Sequence, residues 1–356
     1  WTMAADGADY VWTGKVKKTG AYRLTARYQV AGNTNYFWYS SDGRRDHAIV
    51  VSPKKALDMT LYELNTLTTE ATAPTFAGRS TFRDLLGASD PGGDVNGFDP
   101  FNLEYLNFIQ ANCLWFQPIH PNGFERGEND PLTGSPYAPG SPYATKDYWA
   151  VMPPMGAGNS EASAFAEFTN YVAQCDAYTG SVGSIHIMLD GVFNHTSWDA
   201  VMGQGGVDLG FATSPTSRIG HLRPQWYSLM TDYGEPATSY TSGYLNDFAT
   251  APDRGDFGKW NDVTELYFGK YSALVRNNPE KNGDYLNEDD VYDFAGMTTD
   301  IKDLWRYFAY YPEYWIKKTG HSGTNSWNAA QDDKGIDALR CDFGQGLPPQ
   351  LWEYII

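Results

Sequence analysis

The sequence predicts an α/β fold of the (β/α)8 TIM-barrel type, and two observations support this prediction. Strand-like and helix-like segments alternate from about residue 57 onward, as in parallel sheets whose strands are joined by crossover helices. Two long stretches, at about 120–158 and 196–299, interrupt the alternation. Insertions of this length after parallel strands belong at the carboxyl edge of the sheet. We predict four strands where a barrel has eight, so we expect the barrel to be truncated after its fourth strand.

The strands are predicted from short apolar segments. Ile185–Phe193 is the clearest, because it is rich in β-branched and large apolar residues, and the other three are Met59–Leu64, Leu114–Ile119 and Ile336–Phe343. Helices are predicted over Phe101–Cys113 and from Pro349 onward. Two more helices follow from apolar residues at helical spacing, namely Ala162, Phe165, Phe168, Val172 and Cys175, and then Ile301, Leu304, Trp305, Phe308 and Trp315.

The first fifty residues predict a small β unit that is part of a sandwich. Alternate positions from Tyr22 to Val30 are apolar or aromatic, which is the period of two of one half-buried strand. Further strands are predicted at Tyr36–Tyr39 and Ala48–Val51. The predicted domains are therefore the β unit (1–52), the first three barrel strands (53–195), an inserted domain (196–299), and the fourth strand with the start of the next helix (300–356).

Composition and charge exclude several classes of protein. Apolar residues make up 42% of the chain, which excludes wholesale disorder, and no run of about 18 apolar residues predicts a membrane span. The formal charge of −17 argues against nucleic acid and against an anionic membrane surface as partners. The aromatic content of 15% suits ligands such as sugar rings. The three cysteines show no metal-type spacing and predict no disulfide framework.

Polar residues gather at the ends of two predicted strands. Asp190, Asn194 and His195 follow one another at the end of the third strand, where burial is costly unless they hydrogen-bond or bind a ligand. Arg340 and Asp342 lie two residues apart in the fourth strand and therefore share a face. An arginine beside a carboxylate keeps it ionised, as a carboxylate nucleophile requires. A self-satisfied polar cap and a structural ion pair are the alternative interpretations.

Together with the Gly/Pro-rich loop at 141–149, these segments resemble the α-amylase family, glycoside hydrolase family 13. The family's first signature, Asp-x-x-x-Asn-His, is matched at 190–195, and its second, Asp-Gly-x-Arg-x-Asp, at 337–342 with Ala338 in the place of Gly. Its loop Tyr and Asp are matched by Tyr143 and Asp147, although that loop taken alone is typical of an ordinary aromatic clamp. The resemblance covers about 57–356 and implies that 196–299 is the family's domain B.

The resemblance implies catalytic roles for two residues. Asp342 would be the nucleophile that forms a covalent glycosyl intermediate, and Arg340 would keep it ionised and oriented, braced by Asp190. The family's acid/base Glu lies on the fifth strand, which we expect beyond Ile356. Glu353 is predicted on a helix and cannot substitute, so we expect this chain alone to be inactive.

The resemblance also implies binding roles. Tyr143 would stack under the reacting sugar, and His195 would hydrogen-bond one of its hydroxyls. Asp190, which would also brace the floor of this subsite, and Asp147 are carried over as further substrate-binding residues. Asn194 matches a position that binds structural Ca²⁺ in many members of the family. The segment after Asp342 lacks the Lys-His that usually contributes a second calcium contact. No cofactor is required.

The sequence therefore predicts a retaining α-glycoside hydrolase or transglycosylase that acts on an α-glucan such as starch, glycogen or maltodextrin. A non-catalytic glucan-binding protein on an α-amylase-like barrel is the alternative, and a purely structural α/β protein is a third. Hydrolysis and transfer both remain open, as do α-1,4 and α-1,6 linkages. A secreted or periplasmic location is favoured over a cytoplasmic one.

Overall fold

The computed structural model describes residues 2–16, 18–24, 26–38, 47–89, 99–123, 140–227, 229–230, 238–239, 263–268, 299–321, 334–344, 347 and 349–356. Within these residues the strands are β1 (Ala4–Asp6), β2 (Asp9–Val11), β3 (Gly20–Leu24), β4 (Arg27–Gln29), β5 (Tyr36–Trp38), β6 (His47–Val51), β7 (Leu61–Leu64), β8 (Cys113–Phe116), β9 (His186–Val192), β10 (His195–Ser197), β11 (Leu229–Met230), β12 (Thr238–Ser239), β13 (Val263–Glu265) and β14 (Ala338–Asp342).

The α-helices in the described residues are α1 (Leu103–Ile109), α2 (Glu161–Ala177), α3 (Gly203–Asp208), α4 (Ile219–Leu222), α5 (Thr299–Lys318) and α6 (Pro349–Ile355). Short 3-10 helices lie at Lys54–Leu57, Phe76–Gly78, Asp84–Ser89, Pro153–Met155 and Pro224–Trp226. None of these helices combines the length and the hydropathy that crossing a bilayer requires. The four helices predicted from the sequence correspond to α1, α2, α5 and α6.

The centre of the protein is a four-stranded sheet in the order β14-β9-β8-β7, with every neighbouring pair parallel. The prediction of an α/β fold with four parallel strands is therefore confirmed, with strand ends that differ by at most three residues. Closure into an eight-stranded barrel and the predicted domain boundaries remain predictions.

The two faces of this sheet differ in chemistry. Leu64, Leu114, Phe116, Ile187 and Leu189 occupy one face and are buried in the main hydrophobic core. The opposite face carries polar and aromatic side chains from all four strands, and it is less buried. These side chains are Glu63, Trp115, Asp190, Arg340 and Asp342.

An ion-pair cluster holds the amino ends of the strands together. Asp337, just before β14, accepts from Lys55 Nζ at 2.7 Å, from His186 Nδ1 at 3.2 Å and from the Ile187 amide at 2.9 Å. Burial raises the pKa of Asp337, but these donors lower it by more. The pKa of Asp337 is therefore below its usual value. Asp337, the first Asp of the second signature, thus fixes the order of the strands at their amino ends. Asp342 lies at the opposite, carboxyl end of the sheet.

A capping box and an apolar face explain why the segment of α2 forms a helix as predicted. Ser160 and Ser163 form a reciprocal capping box at its start. The buried positions Ala164, Phe168, Tyr171, Val172 and Cys175 recur at helical spacing and face the sheet. Helix α1 is shorter than predicted, because Asn102 caps its start and Gln110 adopts a left-handed conformation (φ 60°) that ends it.

Aromatic side chains fasten the loop after β8 to helix α5. Trp149 Nε1 donates to the Tyr307 hydroxyl at 2.6 Å, and Trp315 Nε1 donates to the Tyr148 carbonyl at 3.0 Å. The Tyr148 hydroxyl lies 2.7 Å from the carbonyl oxygens of both Val192 and His195, just where β9 ends. Tyr148 and Trp149, in the second half of the loop at 141–149, therefore form an aromatic clamp with helix α5. This is the structure that the loop taken alone is typical of.

The N-terminal β unit is rich in strands, but one strand prediction is wrong. The alternation from Tyr22 to Val30 predicted one continuous strand, whereas the structure has β3 and β4 there. Strand β3 pairs with β6, and β4 pairs with β5, so the chain changes partner between Leu24 and Arg27. A period of two in the sequence shows that side chains alternate between two faces. It does not show where the chain changes its pairing partner.

The stretch predicted as an inserted domain returns to the end of β9. Strand β10 pairs with β13 in antiparallel register, with His195 opposite Glu265. Most of the remaining residues between 228 and 298 lie outside the described part of the chain. The described part therefore places one strand of the insertion directly beside the His195 segment.

The buried His120 should make stability depend on pH. Its Nδ1 lies 2.9 Å from the Ala150 carbonyl and its Nε2 lies 2.6 Å from the Tyr311 hydroxyl, and burial lowers its pKa to about 4. The unfolded chain binds this proton near pH 6.5, so the free energy of unfolding should fall as the pH drops from about 6.5 toward 4.

We predict that His120→Asn reduces the loss of unfolding free energy between pH 7 and pH 4.5 by about 2 kcal/mol, measured by urea denaturation. Asparagine retains an N–H for the Ala150 carbonyl but cannot titrate. His120→Gln provides the control, since glutamine cannot titrate either and should give the same reduction. Equal pH dependence in His120→Asn and the parent protein would contradict this role.

Candidate active site

Four of the predicted site residues meet at the carboxyl edge of the parallel sheet. Asp190 on β9 and Arg340 on β14 are register partners on neighbouring strands, and Asp342 follows two residues later on the same face. Tyr143 reaches this face from the loop after β8, and its hydroxyl donates to Asp190 Oδ2 at 3.3 Å. The structure therefore brings three strand residues and one loop residue into a single cluster.

Arg340 joins the two carboxylates through one nitrogen. Its Nη1 lies 3.0 and 3.1 Å from the oxygens of Asp190 and 2.5 Å from Oδ1 of Asp342. The Asp190 side chain is fully buried, whereas that of Asp342 is 21% exposed. Of these two carboxylates, only Asp342 is therefore accessible to a ligand. Asp190 is the buried, fixed counter-charge of the guanidinium.

Trp115 belongs to the site although the sequence reasoning missed it. Its Nε1 donates to Asp190 Oδ2 at 3.0 Å, and the guanidinium carbon of Arg340 lies 5.0 Å from the centre of its ring. The same carbon lies 5.8 Å from the ring of Tyr143, so the cation sits between two aromatic faces. A tryptophan at alternate spacing within the second predicted strand was the signal that could have identified it.

Two side chains of the site, Asp190 and Tyr143, have raised pKa values. Burial raises the pKa of Asp190 to about 6, although the hydrogen bonds and charge of Arg340 and the Trp115 N–H lower it. Asp190 is therefore ionised above about pH 6 and neutral below it. Burial, with the charge of Asp190, also raises the pKa of the Tyr143 phenol, so that its hydroxyl stays protonated and donates.

His195 uses both ring nitrogens inside the protein. Nε2 lies 3.0 Å from the Tyr143 carbonyl and Nδ1 lies 3.1 Å from Asn194 Oδ1. Burial lowers the pKa of His195 to about 4, partly offset by the charge of Asp342, so the ring is neutral near pH 7 and has one N–H. It therefore links the end of β9 to Tyr143, and its expected bond to a sugar hydroxyl would compete with these contacts.

Asp147 lies apart from the Arg340 cluster. Its Oδ1 accepts from the Trp149 amide at 2.9 Å, and a Cβ at Gly203 would approach that oxygen to 2.3 Å. Burial raises the pKa of Asp147 to about 7. The described contacts of this carboxyl thus belong to the aromatic clamp, and none joins it to Asp190, Arg340 or Asp342.

Asn194, the residue that the resemblance offers as a calcium ligand, is buried beside His195. Its Oδ1 faces His195 Nδ1, and its Nδ2 is buried without a hydrogen-bond partner. Within the described ranges no three His, Cys, Asp or Glu side chains gather in a way that could hold a metal ion. Calcium at Asn194 stays a prediction from the sequence, and the chemistry below uses no metal.

No protein-family model matches the chain, and no curated protein does. Solved structures do overlap with it. A noncanonic maltogenic α-amylase from Thermotoga neapolitana is 17% identical, with a TM-score of 0.41, over 84% of this chain and 42% of that one. An α-amylase from Geobacillus thermoleovorans, complexed with acarbose, is 14% identical, with a TM-score of 0.39, over 84% of this chain and 43% of that one.

A pullulanase from Paenibacillus barengoltzii, in complex with maltohexaose and α-cyclodextrin, is 13% identical, with a TM-score of 0.37, over 74% of this chain and 29% of that one. This chain thus spans less than half the length of each of these three enzymes. At such identities and TM-scores the similarity carries no information about activity, and any functional assignment depends on the side chains described above.

Removing the guanidinium should destabilise the protein in a pH-dependent way. Arg340→Met leaves the buried Asp190 without a cation, and breaking a buried pair costs about 3–5 kcal/mol. We expect a loss near the lower value in the free energy of unfolding at pH 8 and a smaller loss at pH 5, where Asp190 takes up a proton. Urea denaturation at both pH values measures this difference.

The matched control is Arg306→Met on helix α5, since Arg306 is 51% exposed and pairs with Asp303 at the surface. That substitution should change the unfolding free energy by less than about 1 kcal/mol at either pH. An equal loss for Arg340→Met at pH 5 and pH 8 would contradict the view that Asp190 is ionised and held by Arg340.

Proposed function

We propose that the chain is the nucleophile-bearing part of a retaining α-glycoside hydrolase or transglycosylase of the α-amylase type, acting on an α-glucan in a (β/α)8 barrel. The observation that carries this proposal is the sharing of Arg340 between the buried Asp190 and the accessible Asp342. A carboxylate that is paired with a guanidinium and open to a ligand suits attack on the anomeric carbon of a sugar.

In the proposed reaction, an oxygen of Asp342 attacks the anomeric carbon from the face opposite to the leaving group. The bond to the glycosidic oxygen breaks, and a β-glycosyl ester of Asp342 forms. Arg340 orients the attacking carboxylate, and Asp190 and Trp115 hold Arg340 in place. Water or the hydroxyl of another sugar then attacks the ester, which gives hydrolysis or transfer respectively.

Tyr143 would supply the stacking face for the reacting sugar. Its ring is half-buried, and its hydroxyl is fixed by Asp190. We propose that His195 acts on this sugar by way of Tyr143, whose carbonyl it binds, or directly once that contact opens. Asp147 would act from the aromatic clamp, by fixing the loop that carries Tyr143.

The leaving oxygen requires a proton donor. In retaining enzymes the donor and the nucleophile are about 5–5.5 Å apart. Asp190 shares its partner Arg340 with Asp342. It is buried, and it accepts hydrogen bonds from Trp115 and Tyr143. As the resemblance to the α-amylase family implies, we propose that a glutamic acid on a fifth strand, beyond Ile356, supplies the proton and that turnover needs it. General acid catalysis contributes about 10²–10⁴-fold.

The proposal predicts the outcome of a turnover assay on soluble starch. A protein extended by four further strands should release reducing sugar or transfer glucan, and Asp342→Asn in that protein should lower kcat by at least about a thousandfold. Asp303→Asn, on the surface of α5, should change kcat less than twofold. The 356-residue chain should show turnover at least about a hundredfold below the extended protein.

Thermal melting of each variant separates loss of chemistry from loss of folding. Full activity of a folded Asp342→Asn variant would overturn the nucleophile assignment. Binding of glucan without any turnover in the extended protein would instead favour the non-catalytic glucan-binding alternative.

A further inference from the structure

A third carboxylate lies on the site face of the sheet, and nothing above gives it a role. Glu63 on β7 is the register partner of Trp115 on β8, so the two side chains project from the same face as Asp190. Unlike Asp190, Glu63 is exposed. The polar face of the sheet therefore continues past the Arg340 cluster, by way of Trp115, to an accessible carboxylate.

A short ladder of side-chain amides fixes this carboxylate. Gln117 Nε2 donates to Glu63 Oε1 at 3.0 Å, and Asn65 Nδ2 donates to Gln117 Oε1 at 3.0 Å. Asn65 Oδ1 in turn accepts from the Leu67 amide at 3.0 Å. A carboxylate accepts several hydrogen bonds, so Glu63 is held in one orientation while it retains acceptor positions toward solvent.

The charge of Glu63 reaches the site. It contributes to the raised pKa of the Tyr143 phenol, after burial and the charges nearer to that ring. Glu63 therefore lies within electrostatic range of Tyr143, the proposed stacking residue for the reacting sugar.

Distance decides between two roles for Glu63. Strands β7 and β14 are separated by three strand spacings, or about 14 Å along the sheet. The proton donor of a retaining enzyme lies about 5–5.5 Å from its nucleophile. Glu63 lies three strands from Asp342 and is bound by Gln117, so its position suits contact with a different sugar of the same chain better than protonation of the leaving oxygen.

We propose that Glu63 is a substrate-positioning residue that accepts hydrogen bonds from hydroxyls of the sugar next to the reacting one. The proposal rests on the proposed function, since it extends the same groove along the sheet from Asp342 toward β7. Trp115 lies on β8, between the strand of Glu63 and the strand of Asp190, and its indole N–H donates to Asp190. Glu63 would thus make the site select an oligosaccharide over a single sugar.

The test is a ligand-observed NMR titration of the 356-residue chain with glucose, maltose and maltotriose. A hydrogen bond to a charged group contributes enough to change affinity by about tenfold. Glu63→Ala should weaken maltose and maltotriose binding by about tenfold and leave glucose binding within about twofold. Glu63→Gln, which keeps the shape and an acceptor but loses the charge, should give an intermediate loss.

Two controls separate a ligand contact from a structural role. Gln117→Ala removes the support of Glu63 but not its carboxylate, and should weaken maltose binding less than Glu63→Ala. Glu313→Gln, in an exposed ion pair on α5, should have no effect. An equal loss for glucose and maltose in Glu63→Ala would overturn the proposal, because a structural role weakens all ligands alike.

The outcomes also distinguish this proposal from the proposed function. If the parent chain binds maltose and Arg340→Met abolishes binding while Glu63→Ala does not weaken it, the role of Glu63 is overturned and the proposed site stands. If the folded parent chain binds neither maltose nor maltotriose, both proposals are overturned.

Discussion

The desolvation of Asp190 is the constraint on which the site depends. A fully buried carboxylate is unfavourable without a cation and hydrogen-bond donors, and Arg340, Trp115 and Tyr143 supply them. Each of these partners lies on a different segment of the chain, so satisfying one buried charge fixes β14, β8 and the loop after β8 relative to β9. Asp342 becomes a defined, accessible carboxylate as a consequence.

The aromatic clamp gives this arrangement its rigidity. Tyr148 binds the carbonyls at the end of β9, and Trp149 and Trp315 lock the same loop to helix α5. Dense aromatic packing around buried hydrogen bonds limits movement of the loop. Tyr143, five residues before Tyr148, is thereby held over Asp190. The clamp and the site are two parts of one loop, which is why both interpretations of its sequence apply.

Much of the fold and the centre of the site could be predicted from the sequence. The four parallel strands follow from local apolar patterns, and the shared face of Arg340 and Asp342 follows from the period of two. Alternation within a strand groups Trp115 with its neighbours on one face, but the sharing of that face by Glu63, Trp115 and Asp190 depends on the register between strands. Register is set by tertiary packing, which no local pattern in one strand records.

Residue roles were harder to predict than residue positions. The sequence pattern placed His195 at the site, but only the structure shows both of its nitrogens close to protein oxygens, to one of which its single N–H can donate. Asp147 matches a signature position and yet its carboxyl serves the aromatic clamp. In the N-terminal unit, alternation predicted one strand where the chain exchanges sheet partners. Each difference arises from contacts between segments distant in sequence.

The most direct test of the central claim is covalent trapping on Asp342 with a fluorinated α-glucosyl fluoride. Fluoride leaves without a proton donor, so the 356-residue chain itself can be used: an Asp342 oxygen bonds to the anomeric carbon as the C–F bond breaks and fluoride departs. Peptide mass spectrometry should then find one fluoroglucosyl group on the peptide that contains Asp342, and none in Asp342→Asn. A folded chain that forms no adduct, or forms it on another carboxylate, would contradict the account.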